Sequence, residues 1–135
     1  FAVMAHVNGA DVVRRCVEAG VDSVEHGNYM NEDAVRYLSE SGCVWVPTVS
    51  ATTNLMGKNL FPEDMLKKIL EMQAENICLG AKLGAYIAAG SDAGAKCVYH
   101  GDGITAELKY LSAFLTEMQL EKAQEKLRQT FKHQV

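Results

Sequence analysis

The stretch Val17-Glu18-Ala19-Gly20-Val21-Asp22-Ser23-Val24-Glu25-His26-Gly27 decides the fold. It reads as a helix end, a glycine suited to the left-handed backbone that closes a helix, an apolar strand from Val21 to Val24, and a polar strand end at Glu25-His26-Gly27. The same cycle recurs on both sides. Upstream, the apolar run Ala2-Val3-Met4-Ala5 meets His6 and the turn-like Val7-Asn8-Gly9, and Asp11 to Ala19 places Val12, Val13, Cys16 and Val17 on one helical face. Downstream, Asn31 is an N-cap with Glu32 and Asp33 in the first turn, Ala34, Val35 and Leu38 form the apolar stripe, and Gly42 closes the helix. Cys43-Val44-Trp45-Val46 is a third strand, stopped by Pro47. Residues 48–61 carry no clean period and read as a long loop, the kind that tends to be functional. Pro62 suits a first helical position, and Leu66, Ile69, Leu70, Gln73, Ile77 and Ala81 extend a helical face to Gly84. Ala85 to Ala89 is a fourth strand leading into Gly90-Ser91-Asp92, and a Gly-rich loop from Gly94 to Gly103 precedes helices at Ile104–Leu115 and Leu120–Phe131. Strands alternating with helices predict a parallel sheet in an α/β fold.

Composition narrows the function. The 135 residues carry 13 Lys and Arg against 17 Asp and Glu, a net charge of −4, with 48% hydrophobic residues, the profile of one ordinary globular domain. No basic run exceeds two residues, which argues against nucleic acid or an anionic membrane as partner. No apolar stretch approaches the roughly 20 residues that span a bilayer. Cys16, Cys43, Cys78 and Cys97 stand at wide, irregular separations with no C-x-x-C, so reduced thiols and a cytoplasmic location are expected instead of disulfides or a zinc finger. Neither an initiator Met nor a secretory leader is read at Phe1, and a piece of a longer chain is expected.

Three polar residues share one phase of the cycle: His6 ends the first strand, His26 the second and Asp92 the fourth. In a βα-barrel such strand ends converge on one mouth, and two imidazoles with a carboxylate are ligand types for zinc and similar divalent ions. Taken singly, each reads more readily as a loop or capping residue, and their shared phase is what favours a metal site. Glu25, one residue before His26, is expected on the opposite face of its strand, as a structural partner for an outer helix and for Arg14 or Arg15.

The runs Met4-Ala5-His6, Val17 to Gly27, Val46-Pro47-Thr48 and Ala89-Gly90-Ser91-Asp92-Ala93-Gly94 together resemble the amidohydrolase superfamily, specifically its prolidase-like and imidazolonepropionase-like metal hydrolases. The resemblance runs from the N-terminus to about residue 115. It implies half of a (β/α)8 barrel of TIM type, the parallel strands five to eight with their helices, and a centre of one or two divalent ions, zinc first among them. It implies His6 and His26 as metal ligands, Asp92 as both metal ligand and catalytic proton shuttle, and His100, in His100-Gly101, as a substrate-binding residue; His100 reads equally as a loop histidine.

The family's His-x-His of the first strand and its bridging residue of the fourth have no counterpart here, and a complete barrel takes about 250 residues. The domain expectation is therefore a half-barrel over 1–115 and a charged helical tail over 116–135, read as solvated. The sheet face meant for a barrel core would lie bare, so the missing half or a second copy is expected as partner. The functional expectation is a metal-dependent hydrolase of C–N bonds in a small-molecule amide, dipeptide or cyclic amide, this chain carrying part of the active site. The alternative is a catalytically inactive half-barrel, metal-free in isolation, that acts only as a structural or association module. A sugar-phosphate barrel enzyme is the weaker third reading, because the loop after the fourth strand offers Asp and His in place of a phosphate cradle.

Overall fold

The computed structural model describes residues 1–132. Four strands, β1 (Met4–Val7), β2 (Ser23–His26), β3 (Val44–Val46) and β4 (Tyr86–Ile87), lie side by side in chain order, every neighbouring pair parallel. Helices α1 (Ala10–Glu18) and α2 (Glu32–Ser41) make the first two crossovers, and α3 (Val49–Thr53) with α4 (Glu63–Leu83) the third. Helices α5 (Asp102–Leu111) and α6 (Glu117–Lys132) follow the sheet. Parallel strands, all their C-terminal ends on one side, are the arrangement of a partial TIM-type barrel. Residues 133–135, the end of the expected tail, lie outside the described residues.

Local chemistry sets the helix ends. The Asn31 side chain accepts from the Ala34 amide at 2.9 Å, and Gly42 closes α2 in the left-handed region at φ +74°. Both were legible as caps in the sequence.

The sheet buries one face along its width and the other over β3 and β4. On one, Ala5, Val7, Val24, Trp45, Ile87 and Ala89 pack with Val13 and Val17 of α1, Val35 and Leu38 of α2, Ile77 of α4 and Leu111 of α5. Fully burying each large apolar side chain of such a core stabilises the fold by about 1.5–3 kcal/mol. On the other, Val44, Val46 and Ala88 pack with Ala123 of α6, with Tyr86 and Leu127 against them. The ammonium groups of Lys122 and Lys126 lie 5.2 and 4.4 Å from the centroid of the Tyr86 ring. Gln124 Nε2 donates to the Ala89 carbonyl at 3.0 Å.

Two expectations are corrected. The tail is solvated on one side only, because Ala123 and Leu127 give α6 an apolar face that covers β3 and β4. Over β1 the same sheet face stays open, with Met4 55% exposed. Residues 48–61, expected to be loop, begin with helix α3, which is too short to display a period and takes its cap from Glu107 of α5. Among the described residues no helix is long and apolar enough to cross a membrane, and all four cysteines are free.

Candidate active site

A cleft of about 380 Å³ opens at the C-terminal ends of the strands, lined by Met4, His6, Glu25, His26, Thr48 and Asp92 among others. β1 and β2 place His6, Glu25 and His26 there, and the segments that follow β3 and β4 bring Thr48 and Asp92. In the β1–β2 register His6 lies opposite Glu25, so these two share a face of the sheet, the one left open over β1. Ser23 Oγ donates to Glu25 Oε1 at 2.6 Å. Burial raises the Glu25 carboxyl above the ordinary carboxylate value, the Ser23 bond works against that, and the Asp92 charge adds to it. The expectation that Glu25 serves an outer helix is thus corrected: it lines the cleft, while Arg14 pairs with Glu18 at 3.1 Å.

His26 explains the correction. Strict alternation would send its side chain to the helix-packed face with Val24, but its backbone turns left-handed at φ +66°, breaking the two-residue period. Its ring then meets that of His6 edge to face, with centroids 4.4 Å apart. The fourth strand is shorter than expected, ending at Ile87, so Asp92 lies in the segment beyond it; Asp92, at φ +52°, and Thr48, at φ +51° just past β3, occupy the same rarely used backbone region. Such conformations persist only where the surroundings hold them. Gly90, two residues before Asp92, has no room for a side chain, since an added Cβ would collide with Val46 Cγ1.

His26 Nδ1 lies 2.6 Å from Thr48 Oγ1. Burial lowers the His26 pKa first, and the charge of His6 lowers it further, against an opposing effect of Asp92. The ring is therefore held neutral, the state in which imidazole ligates metal.

His6, His26 and Asp92 line one cleft, but only the two imidazoles are in contact. Among the described residues no group of three His, Cys, Asp or Glu side chains is close enough together to hold an ion. The imidazole pair fits a divalent cation in donor chemistry; the third ligand is not in place. His100 is exposed in the loop before α5 and is not among the residues lining the cleft. Glu107 escaped the sequence analysis as a site residue. From the sequence Thr48 reads, with Ser50, Thr52 and Thr53, as a loop residue able to bind polar substrate groups but more readily solvent-facing. Thr48 stands at the end of β3, the same phase that singled out His6 and His26, and that phase was a usable signal. Glu107 carried none, because its partners are 57 and 58 residues away.

No family model matches the chain. A solved Xaa-Pro dipeptidase with methionine bound in its active site superposes with a TM-score of 0.77 at 26% identity, over 98% of this chain and 34% of that one. Prolidase and amidohydrolase proteins are its structural neighbours. They share this chain's fold. A solved amidohydrolase gives a TM-score of 0.76 at 20% identity, over 98% of this chain and 33% of that one. The ochratoxinase of A. niger gives 0.71 at 24% identity, over 90% and 27%. These two likenesses are of fold alone. An uncharacterized protein of Mycobacterium tuberculosis is 34% identical over 55 residues, which is 41% of this chain and 15% of that protein. The chain spans a small part of that curated relative and about a third of the solved structures it matches.

Proposed function

We propose that this chain carries part of the active site of a metal-dependent hydrolase acting on a C–N bond of a small-molecule amide, dipeptide or cyclic amide. The observation that carries the reading is the contact between the His6 and His26 rings in a cleft that Asp92 also lines. His6 and His26 would hold a divalent ion, zinc by ligand type, with Asp92 as a further ligand. When bound, such an ion makes water acidic enough to act as a nucleophile near neutral pH and polarises the carbonyl under attack.

The chain's own groups divide the remaining work. His26 stays neutral through burial and so keeps a lone pair to donate. The Asp92 carboxylate takes the proton that the attacking water releases and returns it to the leaving nitrogen, which requires hydrogen-bond reach to both. Glu25, its carboxyl raised by burial and steadied by Ser23, holds a proton to higher pH than an exposed carboxylate and limits the negative charge in the cleft.

The test is zinc titration of the purified chain by calorimetry, with His6→Ala and His26→Ala beside it. Each variant is expected to weaken binding by more than the roughly 10–100-fold that follows loss of a mere outer-shell partner. Hydrolysis is then assayed on a prolyl dipeptide and an N-acyl amino acid. A wild-type chain that takes up no zinc removes the metal reading.

The second reading, an inactive half-barrel acting as an association module, draws on the incomplete ligand group and on α6, which covers part of the sheet face that a barrel would fill. It predicts normal folding, no zinc uptake and no turnover.

A further inference from the structure

Glu107 is the one charged side chain among the described residues that is fully buried, at 0% exposure. The proposed mechanism does not use it. Its Oε1 accepts from the Val49 amide at 2.9 Å and its Oε2 from the Ser50 amide at 2.7 Å. These are the first two amides of α3, which have no partner within their own helix. Thr48, at the N-cap, would ordinarily satisfy the Ser50 amide, yet it makes no side-chain cap hydrogen bond. Capping uses an extended backbone, and Thr48 is left-handed at φ 51°, ψ 43°.

The Thr48 hydroxyl is engaged elsewhere. Its oxygen donates to the Pro47 carbonyl at 2.8 Å and lies 2.6 Å from His26 Nδ1. A hydroxyl has one hydrogen to donate. With that hydrogen directed to Pro47, the bond to His26 requires the imidazole to donate, so Nδ1 carries the proton and Nε2 keeps the free lone pair. Hydrogen bonding at one ring nitrogen is what sets the state of the other.

We propose that Glu107 is a positioning residue: by capping α3 in place of Thr48 it frees the Thr48 hydroxyl and holds its strained backbone, so that Thr48 fixes His26 as the Nδ1–H tautomer. The arrangement joins α5 to the end of β2 through the first turn of α3. It deepens the metal-site reading, since a ligand needs a free Nε2, but the tautomer exists without any metal.

The experiment is long-range proton–nitrogen NMR of the metal-free chain labelled at histidine nitrogen, recorded well above the ordinary imidazole pKa. In the wild type and in Thr48→Ser, His26 is expected mainly as the Nδ1–H form. In Thr48→Val and Glu107→Gln that form is expected to fall to the minor population. A wild-type His26 that is mainly Nε2–H overturns the proposal, as does a folded Glu107→Gln chain with its tautomer unmoved. If Glu107→Gln does not fold, amide exchange in the wild type decides. Protected Val49 and Ser50 amides support the cap, and exchange as fast as that of an exposed loop overturns it. A zinc titration of the same sample separates the two readings: Nδ1–H without zinc uptake upholds this inference and removes the metal site.

Discussion

The indole N–H of Trp45 donates to the His26 carbonyl at 2.9 Å, so the strand that packs beside His26 also clamps its backbone. Two bonds from neighbouring β3 and its end, one from Trp45 to the carbonyl and one between Thr48 and the ring, hold a histidine whose φ is +66°. Gly27 makes the clamp possible. It is left-handed at φ +63°, and a Cβ there would stand 2.9 Å from Trp45 Nε1 and 3.1 Å from Met30 Cε.

Gly27→Ala is therefore expected to cost about 1–3 kcal/mol through the strained backbone alone, and more if Trp45 cannot shift. Gly9→Ala is the comparator, since Gly9 is also left-handed at φ +89° but an added Cβ meets nothing within 4 Å. Urea unfolding of both variants checks this, and equal losses would show that the approach of Trp45 carries no weight.

Cys43 is expected to resist alkylation. Burial, then the charges of Asp22 and Glu25, push its thiol up to about 12, and the thiolate is the reactive form. Mass spectrometry after iodoacetamide treatment at mildly alkaline pH should find Cys43 labelled last among the four cysteines. Labelling as fast as that of half-buried Cys97 contradicts the expectation.

Glu107 imposes a sign on the pH dependence of stability. Burial raises its carboxyl above 4.5, against the lowering effect of the Ser50 and Val49 amides. The folded chain then keeps a proton that the unfolded chain has released, so this contribution is full below the unfolded value and is lost as pH rises towards the folded one. Across that window the stability of the wild type relative to Glu107→Gln should decline with rising pH in denaturant titrations. A flat or rising difference would show that the hydrogen bonds outweigh burial.

Docking of α6 depends on a small side chain at the contact. Ala123 is fully buried against Val44, Val46 and Ala88, and Ala123→Leu should cost about 1–3 kcal/mol by overpacking. Met118 in the same helix is 74% exposed, and Met118→Ala should stay within about 0.5 kcal/mol of wild type. A tolerated Ala123→Leu would mean that α6 rests loosely on the sheet.

Local sequence sets the alternation of strands and helices, the caps at Asn31 and Gly42, and the positions of His6 next to the end of β1 and His26 at the end of β2. All of these are local: period, cap and strand end are written within a few neighbouring residues. Tertiary structure alone decided that Glu25 enters the cleft, that α6 covers half of the second sheet face, and that Glu107 caps a helix 57 residues earlier. A left-handed residue such as His26 breaks the strand period without a marker in its own type, because the bonds that stabilise it come from Trp45 and Thr48 on the next strand and its end. Packing partners distant along the chain leave no periodic trace, and it is packing that sets which side of a sheet a helix covers.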